Sequence, residues 1–134
     1  MAIQFSTTVR NARLDQVETT IGTAPTLEIR TGTPPANCAA ADTGTVVATL
    51  TLPSDWMAAA ASGSKAISGT WQDLSADATG TAGHFRVKAG ATTHIQGTCS
   101  STGGGGDMEI SPNASVTAGQ SFTVSTFTFS DGNA

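Results

Sequence analysis

Side chains able to bind a metal or run a nucleophilic reaction are few in this sequence, and they are scattered. Cys38, His84, His94 and Cys99 are its only soft ligands. None is paired at the short intervals that place two ligands on one zinc ion. Serines are plentiful, but no Gly-x-Ser-x-Gly elbow singles one out as a nucleophile. The glycines at 103–106 are not followed by Lys-Ser/Thr, so they do not make a phosphate loop. Paired carboxylates for glycoside hydrolysis would have to come from Asp55, Asp73, Asp77, Asp107 or Glu109, which read instead as turn and cap residues. The sequence therefore predicts no catalytic set, no metal and no cofactor, and the protein is expected not to be an enzyme. His84 and His94 read as surface residues of a hairpin. Trp71 has the parity of a core residue, and Trp56 is either core or an interface anchor.

Bulk properties point the same way. Only 12% of the 134 residues are charged and the net charge is −4. An acidic, Lys-poor chain is poorly suited to phosphate backbones or anionic membranes. No apolar run approaches the ~20 residues of a membrane span. The start of the chain lacks a signal-peptide pattern, so the protein is expected to stay in the cytoplasm where it is made, with Cys38 and Cys99 as reduced thiols.

The elements that would position these residues read as one domain, 1–134, with a helical segment at 1–22 and a β-rich body at 23–134. Ser6, Thr7 and Thr8 offer N-cap oxygens, and Val9, Ala12, Leu14, Val17 and Ile21 recur at near-helical spacing before Gly22. This helix either caps the open end of a sandwich or docks as an arm on a neighbouring subunit. Strands are expected at Thr26–Thr31, with Leu27 and Ile29 inward, and at Val46–Leu52. A third is expected at Ala66–Trp71, after a short helical turn through Trp56, Met57 and the alanines 58–61. Residues 73–83 read as a loop. A hairpin follows, with a loop of Ala89, Gly90 and Ala91 placing Phe85 opposite Ile95 and Arg86 opposite His94. Ser100–Gly106 reads as a flexible loop, and Asp107–Ile110 as a short strand.

In the last strand Phe122 and Val124 share one parity while Phe127 and Phe129 have the other. Either a bulge near Ser125 shifts the phase, or the last two face a second apolar environment such as a partner. About seven short strands and one helix suit a mainly β fold, a two-sheet antiparallel sandwich or jelly roll.

Five stretches taken together carry a resemblance. They are Phe5-Ser-Thr-Thr-Val-Arg-Asn-Ala-Arg-Leu-Asp15, Pro34-Pro-Ala-Asn-Cys-Ala-Ala-Ala-Asp42, Leu52-Pro-Ser-Asp-Trp-Met57, Gly80-Thr-Ala-Gly-His-Phe-Arg86 and Ala118-Gly-Gln-Ser-Phe-Thr-Val124. In this order, over nearly the whole chain, they resemble a family of small virion structural proteins of tailed bacteriophages and prophages. The resemblance implies a head cement, or decoration, protein assembled in the bacterial host cytoplasm and carried on the capsid exterior. It implies no catalytic residues. Its partners would be the major capsid protein, whose neighbouring subunits it clamps, and itself, as a dimer in preference to a trimer. No nucleic acid and no membrane are expected. A second reading is a tail, neck or fibre-associated module that binds glycan, and a third is a hydrolase hidden in the loops. Contact residues are expected at Phe5, Arg10 and Arg13, at Trp56 and Met57, and at Phe127 and Phe129, from their position near chain ends, their aromatic type and the parity mismatch.

Overall fold

The structure, a computed structural model, describes residues 2–133. It is mainly β with one helix. Helix α1 (Thr7–Ile21) begins where Ser6 Oγ accepts the Val9 N–H and stops at Gly22, whose φ of 93° favours a residue without a Cβ. Both ends are where the sequence puts them. The apolar stripe is narrower than expected. Leu14 and Ile21 are buried and Val17 packs on the core, but Val9 and Ala12 face solvent.

Nine strands lie among the described residues, against the seven expected: β1 (Thr26–Thr31), β2 (Val46–Thr51), β3 (Ser64–Ala66), β4 (Gln72–Asp73), β5 (Gly80–Ala89), β6 (Thr92–Ser101), β7 (Met108–Ser111), β8 (Ser115–Val116) and β9 (Phe122–Ser130). They form one hydrogen-bonded path, β2-β1-β5-β6-β7-β9-β3, with β4 also on β9 and β8 on β5. This sheet is open and curls on itself. Residues 73–78 cover the outer edge of β2. The Asp77 and Ala78 N–H groups reach the Val47 carbonyl, and the Asp73 carboxylate accepts the Thr49 N–H.

Four bulges among the described residues set the phase of the side chains, one of them at Gly83 of β5 where it pairs with β1. In β9, Val124 pairs with Ile110 and Thr126 with Glu109, which leaves Ser125 as the extra residue. Its hydroxyl donates to the Glu109 carbonyl at 3.1 Å. That bulge turns Phe127 onto the same side as Phe122 and Val124, so all three are buried. In β2 the extra residue is Val47, which brings Val47 and Ala48 inward together while Val46 is only half-buried. In β6 it is His94. The hairpin register is therefore two residues away from the expected one. Phe85 faces Gly97, Arg86 faces Gln96 and Val87 faces Ile95. A shift of two keeps Phe85, Val87 and Ile95 on their predicted face, whereas beyond the His94 bulge Lys88 faces Thr93 and the shift is a single residue.

Other expectations are corrected. Residues 56–61 are extended, not helical. Met57 bridges Ile67, and Ala61 bridges Ser64 across a two-residue turn in which Ser62 and Gly63 both have positive φ, 52° and 72°. Alanine's helix preference yields here to partners, because the Met57 and Ala60 N–H groups are taken by carboxylates of α1. The expected strand through Trp71 is broken at Gly69, which is exposed and has φ 72°. Residues 80–83 belong to β5 rather than to a loop. His84 is fully buried, because the 32–44 loop folds over the outer face of β5 and its Gly32 carbonyl lies 3.0 Å from His84 Nδ1.

The 100–106 segment is a packed structure rather than a flexible loop. β6 runs through Ser101 and pairs parallel with β7, although only residues 102–107 connect them. A parallel pair ordinarily needs a crossover of a dozen or more residues. The short return is possible because the chain folds back directly on its own strand. A Cβ on Gly104 would lie 2.8 Å from Ser100 Cβ, and one on Gly106 2.8 Å from the Ser100 nitrogen. The glycines are needed for this close approach.

Candidate contact surface

The few charged residues act mostly inside the protomer. Glu28 and Arg30 on β1 and Arg86 and Lys88 on β5 lie on the face away from the core, beneath the 32–44 loop. Arg86 is 1% exposed and donates to the carbonyls of Cys38 at 2.9 Å and Ala40 at 3.1 Å, and to the Asp42 carboxylate. Arg30 and Lys88 reach the same carboxylate at 3.1 and 2.6 Å, and each also pairs with Glu28. Hydrogen bonds from Lys88 and Arg86 hold Asp42 below the usual carboxylate range, against the opposing effect of burial. The loop is thus tied to the sheet through the Asp42 carboxylate and through the backbone carbonyls of Asn37, Cys38, Ala40 and Thr43.

A second network fixes the helix. Lys65, on β3, is 2% exposed and lies between α1 and the extended 56–61 segment. Its ammonium donates to Asp15 Oδ1 at 2.7 Å and to the Ala58 carbonyl at 2.9 Å, and lies 3.0 Å from Glu18 Oε2. Burial alone would lower its pKa, but the bonds to Asp15 and Glu18 outweigh burial and raise it. The Lys65 bond, with one from the Ala60 N–H, keeps Asp15 low. The two acids also accept backbone N–H groups of Ala60 and Met57, so α1 is attached to its own body.

Arg10 and Arg13 complete the set. Arg10 Nη1 donates to the Asp131 carbonyl at 3.2 Å, and Arg13 pairs with the Asp131 carboxylate at 3.0 Å. All six Lys and Arg side chains therefore have a partner within the protomer. Asp55, Asp73, Asp77, Asp107 and Glu109 are the acids outside these ion pairs.

A largely apolar cleft of about 410 Å³ opens where β6 and β9 diverge below the start of β7. Phe85, Ile95, Phe127 and Phe129 line it, with Val17 of α1 at one side and His94, Gln96, Asp107 and Thr128 on the rim. The Phe85 and Phe127 rings meet edge-on at 5.2 Å, and Phe127 lies 5.8 Å from both Phe129 and Trp71.

The predicted contact residues fall into three places. Phe5, Arg10 and Arg13 come together around Asp131. The Phe5 N–H donates to the Asn133 carbonyl at 2.7 Å, and the Arg13 guanidinium lies 4.8 Å from the centre of the half-buried Phe5 ring. Trp56 and Met57 are core residues, 0% and 1% exposed, and cannot serve as surface anchors. The Trp56 indole N–H is used on the Gly22 carbonyl and its ring packs 6.0 Å from Trp71, so the two tryptophans make no glycan platform. Phe127 is likewise interior at 4% exposure, because the Ser125 bulge turns it inward, while Phe129 stays half-buried at the cleft. The sequence reading missed Phe85, Ile95 and Val17 as cleft residues and missed both ion networks. One signal was available for the first network. Glu28, Arg30, Arg86 and Lys88 alternate along two strands, which places them on a single face. Cys38 and Cys99 are both free thiols, and no group of three or more His, Cys, Asp or Glu able to hold a metal occurs among the described residues. Comparison with protein-family models, with curated proteins and with solved structures finds no match.

Proposed function

We propose that this protein is a non-enzymatic structural component of a tailed-phage virion, a head cement protein that sits on the capsid exterior and clamps neighbouring major capsid subunits. The observation that carries the reading is the internal use of every Lys and Arg side chain. Charge is spent on fixing one loop and one helix to the sheet, and the surface is left neutral to acidic, with small side chains. Such a surface loses little side-chain entropy and little hydration when it is covered, which favours protein contact over nucleic acid or anionic lipid. The five resembling stretches support the virion assignment. Phe5, Arg10 and Arg13, held together beside Asp131, and Phe129 at the cleft are the contact residues that remain from the sequence reading.

The same proposal takes the curled sheet as two layers on one core. β2-β1-β5-β6 would face β7-β9-β3, and the meeting of Phe85 with Phe127 supports this jelly-roll-like arrangement. The test is co-sedimentation of the purified protein with mature heads that lack it, scored as bound copies per capsid. Saturation at a number set by capsid symmetry is expected. Heads that take up no protein would overturn the cement reading and favour the tail or fibre module.

A further inference from the structure

We infer that the cleft between β6 and β9 receives the N-terminal arm of a second copy of this chain, with Ile3 as the side chain that fills it. Two strand edges are open at the cleft. Among the described residues, Thr92–Thr98 of β6 pairs with β5 on one side and with no strand on the other, and β9 beyond Phe127 pairs only with β3. Antiparallel ladders alternate the direction of their backbone groups. The Thr98 N–H points away from β5, to Asp107 Oδ2 at 2.9 Å, so the Gln96 N–H and C=O point the same way. On the opposite wall the Asp131 N–H bonds to the Gly63 carbonyl on the β3 side, so Thr128 directs its backbone groups towards the cleft. An apolar floor between two such edges suits an extended segment. Its 410 Å³ holds a few side chains and not a folded face.

The arm before α1 has the matching character. It is non-helical and uncharged over residues 2–5, and Ile3, at 78%, is the most exposed of the large apolar side chains. In its own protomer Ile3 is absent from the cleft lining. The arm is rooted at Phe5, whose ring lies against Arg13, and Val17, one turn further along α1, is a cleft residue. Root and receptor thus share one end of the molecule, which permits reciprocal exchange about a two-fold axis. Charge favours this contact over packing of two folded faces. The chain carries a net charge of −4, whereas the arm is neutral and Asp107 is the one charged residue lining the cleft. Only a few side chains per cleft are covered in such an exchange, so the pair is weak and concentration-dependent.

Sedimentation velocity of the whole chain over a range of concentrations tests this. A monomer–dimer equilibrium is expected. Ile3→Asp should weaken it about tenfold or more, the equivalent of one apolar side chain left in water, and Leu74→Asp, at an exposed site elsewhere, should leave it unchanged. Mixing Ile3→Cys protein with isotope-labelled Ile95→Cys protein and oxidising should give a 3–95 disulfide between light and heavy copies. A chain that stays monomeric throughout, or a dimer that survives Ile3→Asp, overturns the inference. So does a monomer whose cleft is protected only on heads, which would assign the cleft to a shell segment. The exchange requires no shell protein, so its failure is separable from failure to bind heads.

Discussion

At the scale of single residues, this chain uses charge as a fastener. Lys65 is the clearest case, since its ammonium is buried between two carboxylates and a carbonyl. Replacing it with Met keeps the stem packing but leaves Asp15 and Glu18 without a cation. Removing one partner of a buried pair costs about 3–5 kcal/mol, and because Asp15 can rehydrate, the expected loss is nearer ~2–3 kcal/mol in urea unfolding. The linkage has a definite sign. Lys65 has a raised pKa in the folded state, so its contribution is complete below the unfolded value of 10.5 and is lost as pH rises through the higher folded value. Alkaline melts of the wild type and of Lys65→Met should therefore converge above that range. Cys99 illustrates burial without a partner charge. Its thiol is pushed up to about 12, mainly by desolvation and then by Asp107. Native protein at mildly alkaline pH should leave Cys99 unalkylated by iodoacetamide until denaturant is added, as read by peptide mass spectrometry.

At the scale of elements, two connections that look loose in the sequence are tightly built. Gly106→Ala would put a Cβ 2.8 Å from the Ser100 nitrogen and 2.9 Å from the Cys99 carbonyl carbon, so the return from β6 to β7 must shift. A loss of about 1–3 kcal/mol is expected, as for other overpacked sites. Gly132→Ala, where a Cβ meets nothing within 4 Å, should be neutral in the same thermal melts. The 32–44 loop is held in part by Asp42, whose pKa is lowered in the folded state. Its stabilising bonds are present above the unfolded value of 3.8 and are lost as pH falls through the lower folded value. Hydrogen exchange should show loop amides protected above that value and released below it, ahead of the core strands. Local patterns made much of this fold legible. The caps of α1 and the alternation of β1 follow from residue type and parity, and parity also made a bulge near Ser125 one of two readings of the last strand. The packed glycine return, the extended alanine segment and the burial of His84 did not, because each is decided by a partner distant in sequence. Glycine runs read as flexible and alanine runs as helical until the strand or carboxylate against them is known.

At the scale of the whole molecule, the internal pairing of all six cations governs how the protein should respond to salt. A protein that holds a polyanion through six to ten phosphate contacts loses about 10³–10⁵ in affinity between low and moderate salt, because released counterions drive its binding. Here each of the six cations already has a partner within the protomer. The bonds that use the cations are largely shielded from solvent, with Lys65 and Arg86 each 1% exposed at the side chain, and buried pairs are screened far less than exposed ones. In the proposed cement role, binding to mature heads through neutral, small-chained surface should therefore change by less than about tenfold over the same salt range. The measurement is bound copies per head at subsaturating protein as ionic strength is raised. A steep fall would mean that an ion pair between protein and shell dominates the contact. The Arg13–Asp131 pair, half-exposed on its arginine side, would then be the place to look, since Arg13 could exchange Asp131 for an acid on the shell. A flat response together with loss of binding in Phe5→Ser would instead place the energy in apolar contact beside the chain ends, where repetition over many identical capsid sites makes a weak single contact sufficient.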